Sequence, residues 1–385
     1  MDAILVRYGE IGLKGDNRGL FEAALIQNLS WVLRGTGAGV VRVEGRILIQ
    51  PVPDPAEIIQ RIRAVFGVVS LSPVRFAQPE LESIQQTCEQ LIEAAESTPR
   101  RFKVETRRAD KRFPMPSPEV SRTVGGFLLD QFPHLSVDVH HPELVVTIEI
   151  RTKAVYVWSE VIPGPGGLPV GTSGKAMLLL SGGIDSPVAG WMAMKRGIRI
   201  SAVHFHSFPY TGERSRLKVI ELARILARFH RGLDLFIVNV AEIQETIVRE
   251  CPEKLRVTLL RRQMLRIAEM LADKNGDLAL ITGESVGQVA SQTLESMQAI
   301  GQAVSMVLIK PLACFDKSEI TRLAEQIGTY ETSIQPYEDC CTLFVPKHPA
   351  TKPRLEQVLA AEQPVDWTRM VETAITQAER LRIEG

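Results

Sequence analysis

Apolar and polar positions change rhythm near the middle of the chain. Beyond residue 175, short apolar runs at 176–180, 198–205, 233–240, 277–282 and 306–309 read as strands. Between and after them, apolar residues recur at helical spacing over 187–196, 213–229, 254–274, 286–303 and 317–327. In the third of these helices Leu260, Met264, Ile267 and Leu271 share one face. Alternating strands and helices predict an α/β fold with a doubly wound parallel sheet. Ligands of such sheets bind beyond the carboxyl ends of the strands.

Upstream the order differs. Residues 1–55 read as strand 3–8, helix 18–33 and strands 40–44 and 46–49, closed by a proline-rich break at 51–55. Residues 56–161 open with a helix at 56–65 and mix helices with β-rich stretches at 102–106 and 144–157. Two smaller α+β domains, 1–55 and 56–161, are therefore expected ahead of a Pro/Gly-rich linker at 162–174 and a third domain at 175–385.

The six residues Ser181-Gly182-Gly183-Ile184-Asp185-Ser186 follow the first of these later strands and precede a helix with Pro187 in its first turn. A strand, a Gly-Gly turn and a helix start aim backbone N–H groups at an anion, aided by the helix dipole. No lysine lies in the loop, so it is not a Walker A motif. Such a loop suits retention of pyrophosphate while ATP is attacked at its α-phosphorus. Glycine lets backbone approach closely, and serine hydroxyls can donate to phosphate oxygens. Asp185 would repel phosphate but suits Mg²⁺, or else serves as a charge at the helix start.

Other positions carry weaker signals. His204 and Phe205 end a strand where their rings could frame an adenine, or where they simply form a half-buried strand end. Arg261, Arg262 and Arg266 offer cations for phosphate, or a solvated basic face. Lys317 begins a helix and could stabilise charge developing on a phosphate, or be a surface lysine near a cap. Gly283-Glu284-Ser285-Val286-Gly287 satisfies the G-x-S-x-G elbow of serine hydrolases, and Asp316 and His348 follow in the hydrolase order. That competing reading leaves the 181–186 loop unexplained. Cys340 and Cys341 are adjacent among polar neighbours, a setting for a reactive thiol rather than a packing cysteine.

Composition narrows the class. At 45% hydrophobic and 23% charged residues, the chain is an ordinary globular protein. Its 45 basic and 45 acidic residues cancel, so any nucleic-acid surface must be local. One basic stretch interleaved with phenylalanines provides it: Arg100, Arg101, Lys103, Arg107, Arg108, Lys111 and Arg112 are the RNA-binding candidates, with a charge-protected edge strand as the alternative. An odd count of five cysteines without a C-x-x-C pair suggests a reducing compartment. No signal-peptide layout and no membrane-spanning apolar run are evident, and a cytoplasmic protein is expected.

The 181–186 loop resembles the pyrophosphatase loop of PP-loop ATP pyrophosphatases, and the whole chain is similar to the ThiI family of tRNA 4-thiouridine synthetases. The resemblance starts at Tyr8-Gly9-Glu10-Ile11-Gly12-Leu13-Lys14-Gly15-Asp16-Asn17-Arg18, continues through 181–186 and 283–293, and ends at 338–341. It implies a ferredoxin-like domain over 1–55, a THUMP RNA-binding domain over 56–161 and a PP-loop domain over 175–385. It implies ATP contacts at Leu179, Leu180, Ser181, Gly182, Gly183, Asp185, Ser186, His204, Phe205, Arg261, Gly283 and Gln292. Catalytic roles fall to Asp185, which also holds Mg²⁺, to Lys317, and to a persulfide on Cys340 rather than Cys341. The implied reaction adenylates uridine 8 of tRNA and then installs sulfur at C4. The implied partners are tRNA, a cysteine desulfurase, a small sulfur-carrier protein for thiamine thiazole synthesis, and a second copy of the chain. Some members add a rhodanese domain; this chain is expected to be a short form, with sulfur reaching the PP-loop domain more directly.

Overall fold

The structure, a computed structural model, describes all residues except 44–45, 96–98, 338–345 and 347–349, and all their side chains except that of Ala290. It divides into two compact units, Met1–Gly167 and Leu168–Gly385. Among the described residues, no helix is long and apolar enough to cross a membrane.

The first unit contains β1 (Ala3–Arg7), α1 (Arg18–Val32), β2 (Gly39–Val43), β3 (Arg46–Gln50), α2 (Pro55–Ile62), β4 (Ser70–Ala77) and α3 (Leu81–Glu93). It continues through β5 (Arg101–Arg108), α4 (Ser117–Gln131), β6 (Ser136–Val137), β7 (Leu144–Ile150), β8 (Val155–Trp158) and β9 (Ile162–Pro163). Its strands make one sheet in the order β2-β3-β1-β4-β8-β7-β5-β6, with β9 against β4. Strand alternation sorts the side chains. Ile4 and Val6 pack with Leu25 and Leu29 of α1 and Ile58 and Ile62 of α2. Val155 and Val157 pack with Ile84 of α3 and Val120 and Val124 of α4. The intervening residues Ala3, Leu5, Tyr156 and Trp158 meet in a smaller cluster with Leu48 and Val74. The proline-rich stretch after β3 leads into α2, which Asp54 caps by accepting the Glu57 N–H at 3.2 Å.

The second unit contains β10 (Lys175–Leu179), α5 (Asp185–Lys195), β11 (Arg199–His206), α6 (Glu213–Ala227), β12 (Leu233–Asn239), α7 (Ala241–Glu250) and α8 (Arg256–Asn275). After these come β13 (Ala279–Ile281), α9 (Leu294–Gly301), β14 (Val307–Ile309), α10 (Lys317–Ile327), α11 (Tyr330–Ser333), α12 (Leu355–Glu362), α13 (Trp367–Thr376) and β15 (Glu379–Ile383). The sheet order is β14-β13-β10-β11-β12-β15, parallel except for β15, which runs antiparallel to β12. Chain order reverses beside β10, whose neighbours are β11 and β13. The loop leaving β10 therefore opens at the topological switch point.

One expected helix is corrected. The 286–303 helix starts only at Leu294, where the Thr293 side chain accepts the Ser296 N–H at 3.2 Å. Gly287 has φ +79°, which breaks a right-handed helix before it can form. Helices α7, α12 and α13 and strand β15 were not anticipated from the sequence pattern.

Candidate active site

Strand β10 hands the chain directly to the loop, with Leu180 N–H donating to Val203 O at 2.8 Å. The two loop serines then brace the turn. Ser181 N–H donates to Ser186 Oγ at 2.9 Å, the two hydroxyls lie 3.1 Å apart, and Gly183 N–H donates to Ser181 Oγ at 3.3 Å. Helix α5 starts at Asp185 and points its amino end at the same place. Gly283, after β13, presses on this helix start: a Cβ there would come within 2.7 Å of Ser186 N and 2.9 Å of the Asp185 carbonyl carbon. Only glycine fits without moving the loop.

Beside the loop lies a cavity of about 160 Å³. Leu179, Ser181, Asp185 and Ser186 form one wall. Arg261, Gly283 and Gln292 contribute from elsewhere, and Met264, Ile300 and Leu308 make an apolar floor. Gln292 is 6% exposed, and its Oε1 has no hydrogen-bond partner among the described residues. A buried acceptor without a partner in a cavity wall fits a ligand that brings a donor. Arg261 donates to Glu284 Oε1 at 2.7 Å; Lys310 and Thr282 reach Glu284 Oε2 at 2.9 and 3.1 Å. Glu284 thus orients Arg261 at the cavity.

Asp185 and Lys317 meet at the loop. The Lys317 ammonium donates to Asp185 Oδ1 at 2.6 Å, and Gln288 Nε2 donates to Oδ2 at 3.0 Å. Lys317 is held by its helix start, because Asp316 and Glu319 form a reciprocal capping box, each backbone N–H bonding the other's carboxylate at 2.9 Å. Hydrogen bonds from Ser318 Oγ, at 2.7 Å, and from the Glu319 N–H keep the Asp316 carboxyl below its ordinary range. Among the described residues, no cluster of three His, Cys, Asp or Glu side chains forms a ready-made metal centre. One carboxylate beside a phosphate loop still fits Mg²⁺, which takes its other oxygens from phosphate and water.

Not every expected residue lines this cavity. His204 and Phe205 do not frame the cavity: His204 is buried with Nδ1 3.0 Å from Leu180 O, and Phe205 belongs to the core under the sheet. Leu180, Gly182 and Gly183 also lie off the cavity wall. Of the three arginines on α8, Arg261 alone among them lines the cavity, while Arg262 and Arg266 clamp Glu362 of α12. The hydrolase reading fails, because the buried Ser285 hydroxyl donates to Phe315 O at 2.8 Å and Asp316 is a helix cap. Cys340, Cys341 and His348 lie outside the described residues. Glu284, Gln288 and Lys310 were missed; their signal, charge or amide on loops after strand ends, is too common to single out.

In the first unit the basic stretch splits. Arg101, Lys103 and Arg107 share one face of β5, with Arg101 paired to Glu143 and Lys103 to Glu105. Arg108 turns to the other face and donates to Phe113 O and Met115 O at 2.9 and 3.0 Å, a structural use. Arg112 pairs with Asp110, holding that carboxyl down at about 2, whereas Arg100 and Lys111 are exposed. Strand β5 is not a free edge at its start, since β6 pairs with Arg101 and Phe102. The sequence missed a second row of arginines across the sheet. The Arg7 guanidinium lies 4.6 Å from the Trp158 ring centre and donates to Ser72 Oγ at 3.0 Å. Arg46 and Arg151 both reach Glu149, at 3.0 and 2.6 Å. Burial, with Arg46 and Arg107 nearby, lowers the Arg7 pKa to about 10. Such crowding of guanidinium groups next to an aromatic ring suits a phosphate backbone.

Comparison with known proteins finds family matches along both units. Residues 171–367 match a family described as "Thiamine biosynthesis protein (ThiI)"; 3–72 match a ThiI ferredoxin-like domain and 79–160 a THUMP domain. Probable tRNA sulfurtransferases of Halothermothrix orenii and Moorella thermoacetica are 50% and 49% identical, each alignment covering 99% of this chain and 98% of the relative. The crystal structure of a 4-thiouridine synthetase–RNA complex with bound ATP is 40% identical, covers 100% of both chains and has a TM-score of 0.91. The chain belongs to the ThiI family.

Proposed function

We infer that this protein is an ATP-dependent tRNA uridine 4-sulfurtransferase, which adenylates uridine 8 of tRNA and replaces its O4 with sulfur to give 4-thiouridine. The observation that carries the reading is the lysine-free 181–186 loop at the switch point, with Asp185, Lys317, Arg261 and Gln292 converging on it. The relative that superposes along the whole chain holds ATP and RNA together.

In this account ATP lies with its base in the cavity, where Gln292 Oε1 accepts from the adenine amino group. Its outer phosphates rest on the loop. Asp185 would hold Mg²⁺ together with phosphate oxygens, and the ion when bound screens phosphate charge. Uridine O4 attacks the α-phosphorus, and the bond to pyrophosphate breaks. Lys317 stabilises the charge that develops on the α-phosphate, and Arg261 supports the phosphates from the cavity side. A persulfide carried by Cys340 then attacks C4, and AMP leaves with the original O4. A thiol reductant breaks the remaining S–S bond, so sulfur stays on the base. A cysteine desulfurase supplies the persulfide, in the cytoplasm. The arginines of the first unit hold the tRNA, and two copies of the chain share the work of binding and catalysis. Sulfur transfer to a small carrier protein, toward thiamine thiazole synthesis, is the second output proposed.

The test incubates full-length protein with unmodified tRNA, ATP, Mg²⁺ and a persulfide donor. The expected result is 4-thiouridine absorbance together with AMP. Cys340→Ser is expected to abolish thiolation while adenylation, read as pyrophosphate release in a single turnover, continues with tRNA present. Absence of both products from the wild type contradicts the assignment, and full thiolation by Cys340→Ser moves the sulfur to Cys341 or to free sulfide.

A further inference from the structure

The loop has no lysine of its own, yet one stands over it. Lys218 lies on α6 and is 6% exposed. A Cβ built on Gly182 would meet its Cδ at 3.4 Å and its Cε and Nζ at 3.5 Å. The ammonium therefore sits against the loop backbone, where a phosphate oxygen would arrive. The same Nζ donates to Gln335 O at 2.9 Å. Gln335 follows α11 and precedes Cys340 by five residues in the sequence. One turn earlier on α6, the Arg214 guanidinium is 6.0 Å from the Tyr337 ring centre. The chain from Lys317 to Tyr337 is thus tied to the loop region at both ends, by Lys317 on Asp185 and by Gln335 on Lys218.

We propose that Lys218 holds a pyrophosphate oxygen above Gly182 and, through Gln335, couples occupancy of the loop to the placement of the chain that leads to Cys340 and Cys341. An ammonium carries three donors, so it can keep Gln335 and take a phosphate oxygen together. A charge-assisted bond of this kind strengthens as pyrophosphate separates and gains charge. Occupancy of the loop then holds the segment in place for the sulfur step. This rests on the reading of the 181–186 loop as the pyrophosphate site.

The experiment uses full-length protein, unmodified tRNA, ATP and a persulfide donor, with added pyrophosphate as inhibitor of AMP formation. In Lys218→Met the pyrophosphate inhibition constant is expected to rise by about tenfold to a hundredfold, with inhibition by AMP unchanged. The yield of 4-thiouridine per AMP is expected to fall in the same variant, and Lys218→Arg to recover part of both. A folded Lys218→Met with unchanged pyrophosphate inhibition and unchanged yield overturns the proposal. Hydrogen exchange on the wild type needs no variant: pyrophosphate is expected to slow exchange at the Gln335 and Tyr337 amides, and no change there overturns the coupling. If pyrophosphate fails to inhibit the wild type, the loop assignment itself falls, a result distinct from either of these.

Discussion

At the scale of single residues, the site depends on close approaches more than on reactive groups. Gly283 is the clearest case, because any side chain there meets the backbone of Asp185 and Ser186. We expect Gly283→Ala to raise the KM for ATP in AMP formation by roughly tenfold, with a smaller effect on kcat, since the displaced loop mainly loses phosphate contacts. An unchanged KM in initial-rate measurements contradicts this. A second residue gives a pH signature. His230 is buried with Nδ1 2.7 Å from Gly232 O, and burial, reinforced by Arg199, Arg231 and Arg382, drops its pKa to about 4. The unfolded histidine takes up a proton near pH ~6.5. Between those values the unfolded chain binds a proton that the folded chain refuses, so this stabilisation is present above the window and is lost as pH falls through it. Denaturant unfolding of His230→Gln is expected to show a shallower loss of stability over that window than the wild type; equal slopes contradict it. The loop glycines and Asp185 were legible in the sequence because their spacing follows from strand–turn–helix geometry. Lys218, Glu284 and Gln288 were not, since each reaches the site from an element whose packing no local pattern encodes.

At the scale of elements, the parallel strands and α10 were readable because apolar runs and helical spacing alternate cleanly there. The misread helix at 286–303 shows the limit. Val286 and Val289 continue the apolar spacing, but Gly287 turns left-handed and the chain makes a loop that brings Gln288 to Asp185 and Gln292 to the cavity. Strand β15 hides for another reason: its Glu-Arg-Leu-Arg-Ile sequence is mostly charged, as befits an edge, and its pairing with β12 is long-range. In the first unit, element geometry rewrites the basic patch. Arg101, Lys103 and Arg107 alternate onto one face of β5, and β1 and β3 add Arg7 and Arg46. We expect Arg46→Ala and Arg107→Ala each to weaken tRNA binding and to lower the salt slope of log Kd by about one. Arg108→Ala is expected to leave the salt slope unchanged, because its guanidinium serves two backbone carbonyls. Filter-binding titrations across a salt series decide this, and equal slopes for all three variants contradict the face assignment.

For the whole molecule, the balance of 45 basic and 45 acidic residues concealed where RNA would bind, and many basic groups of the first unit have carboxylates beside them. The central claim is chemical: the nucleobase oxygen attacks ATP at the α-phosphorus while the 181–186 loop keeps pyrophosphate. The most direct measurement uses tRNA whose target uridine carries heavy oxygen at O4, followed by mass spectrometry of the nucleotide products in single turnover. The account predicts that the label leaves in AMP and that pyrophosphate stays unlabelled. Unlabelled AMP accompanying full conversion to 4-thiouridine would contradict it, because the O4–phosphorus bond would then never have formed.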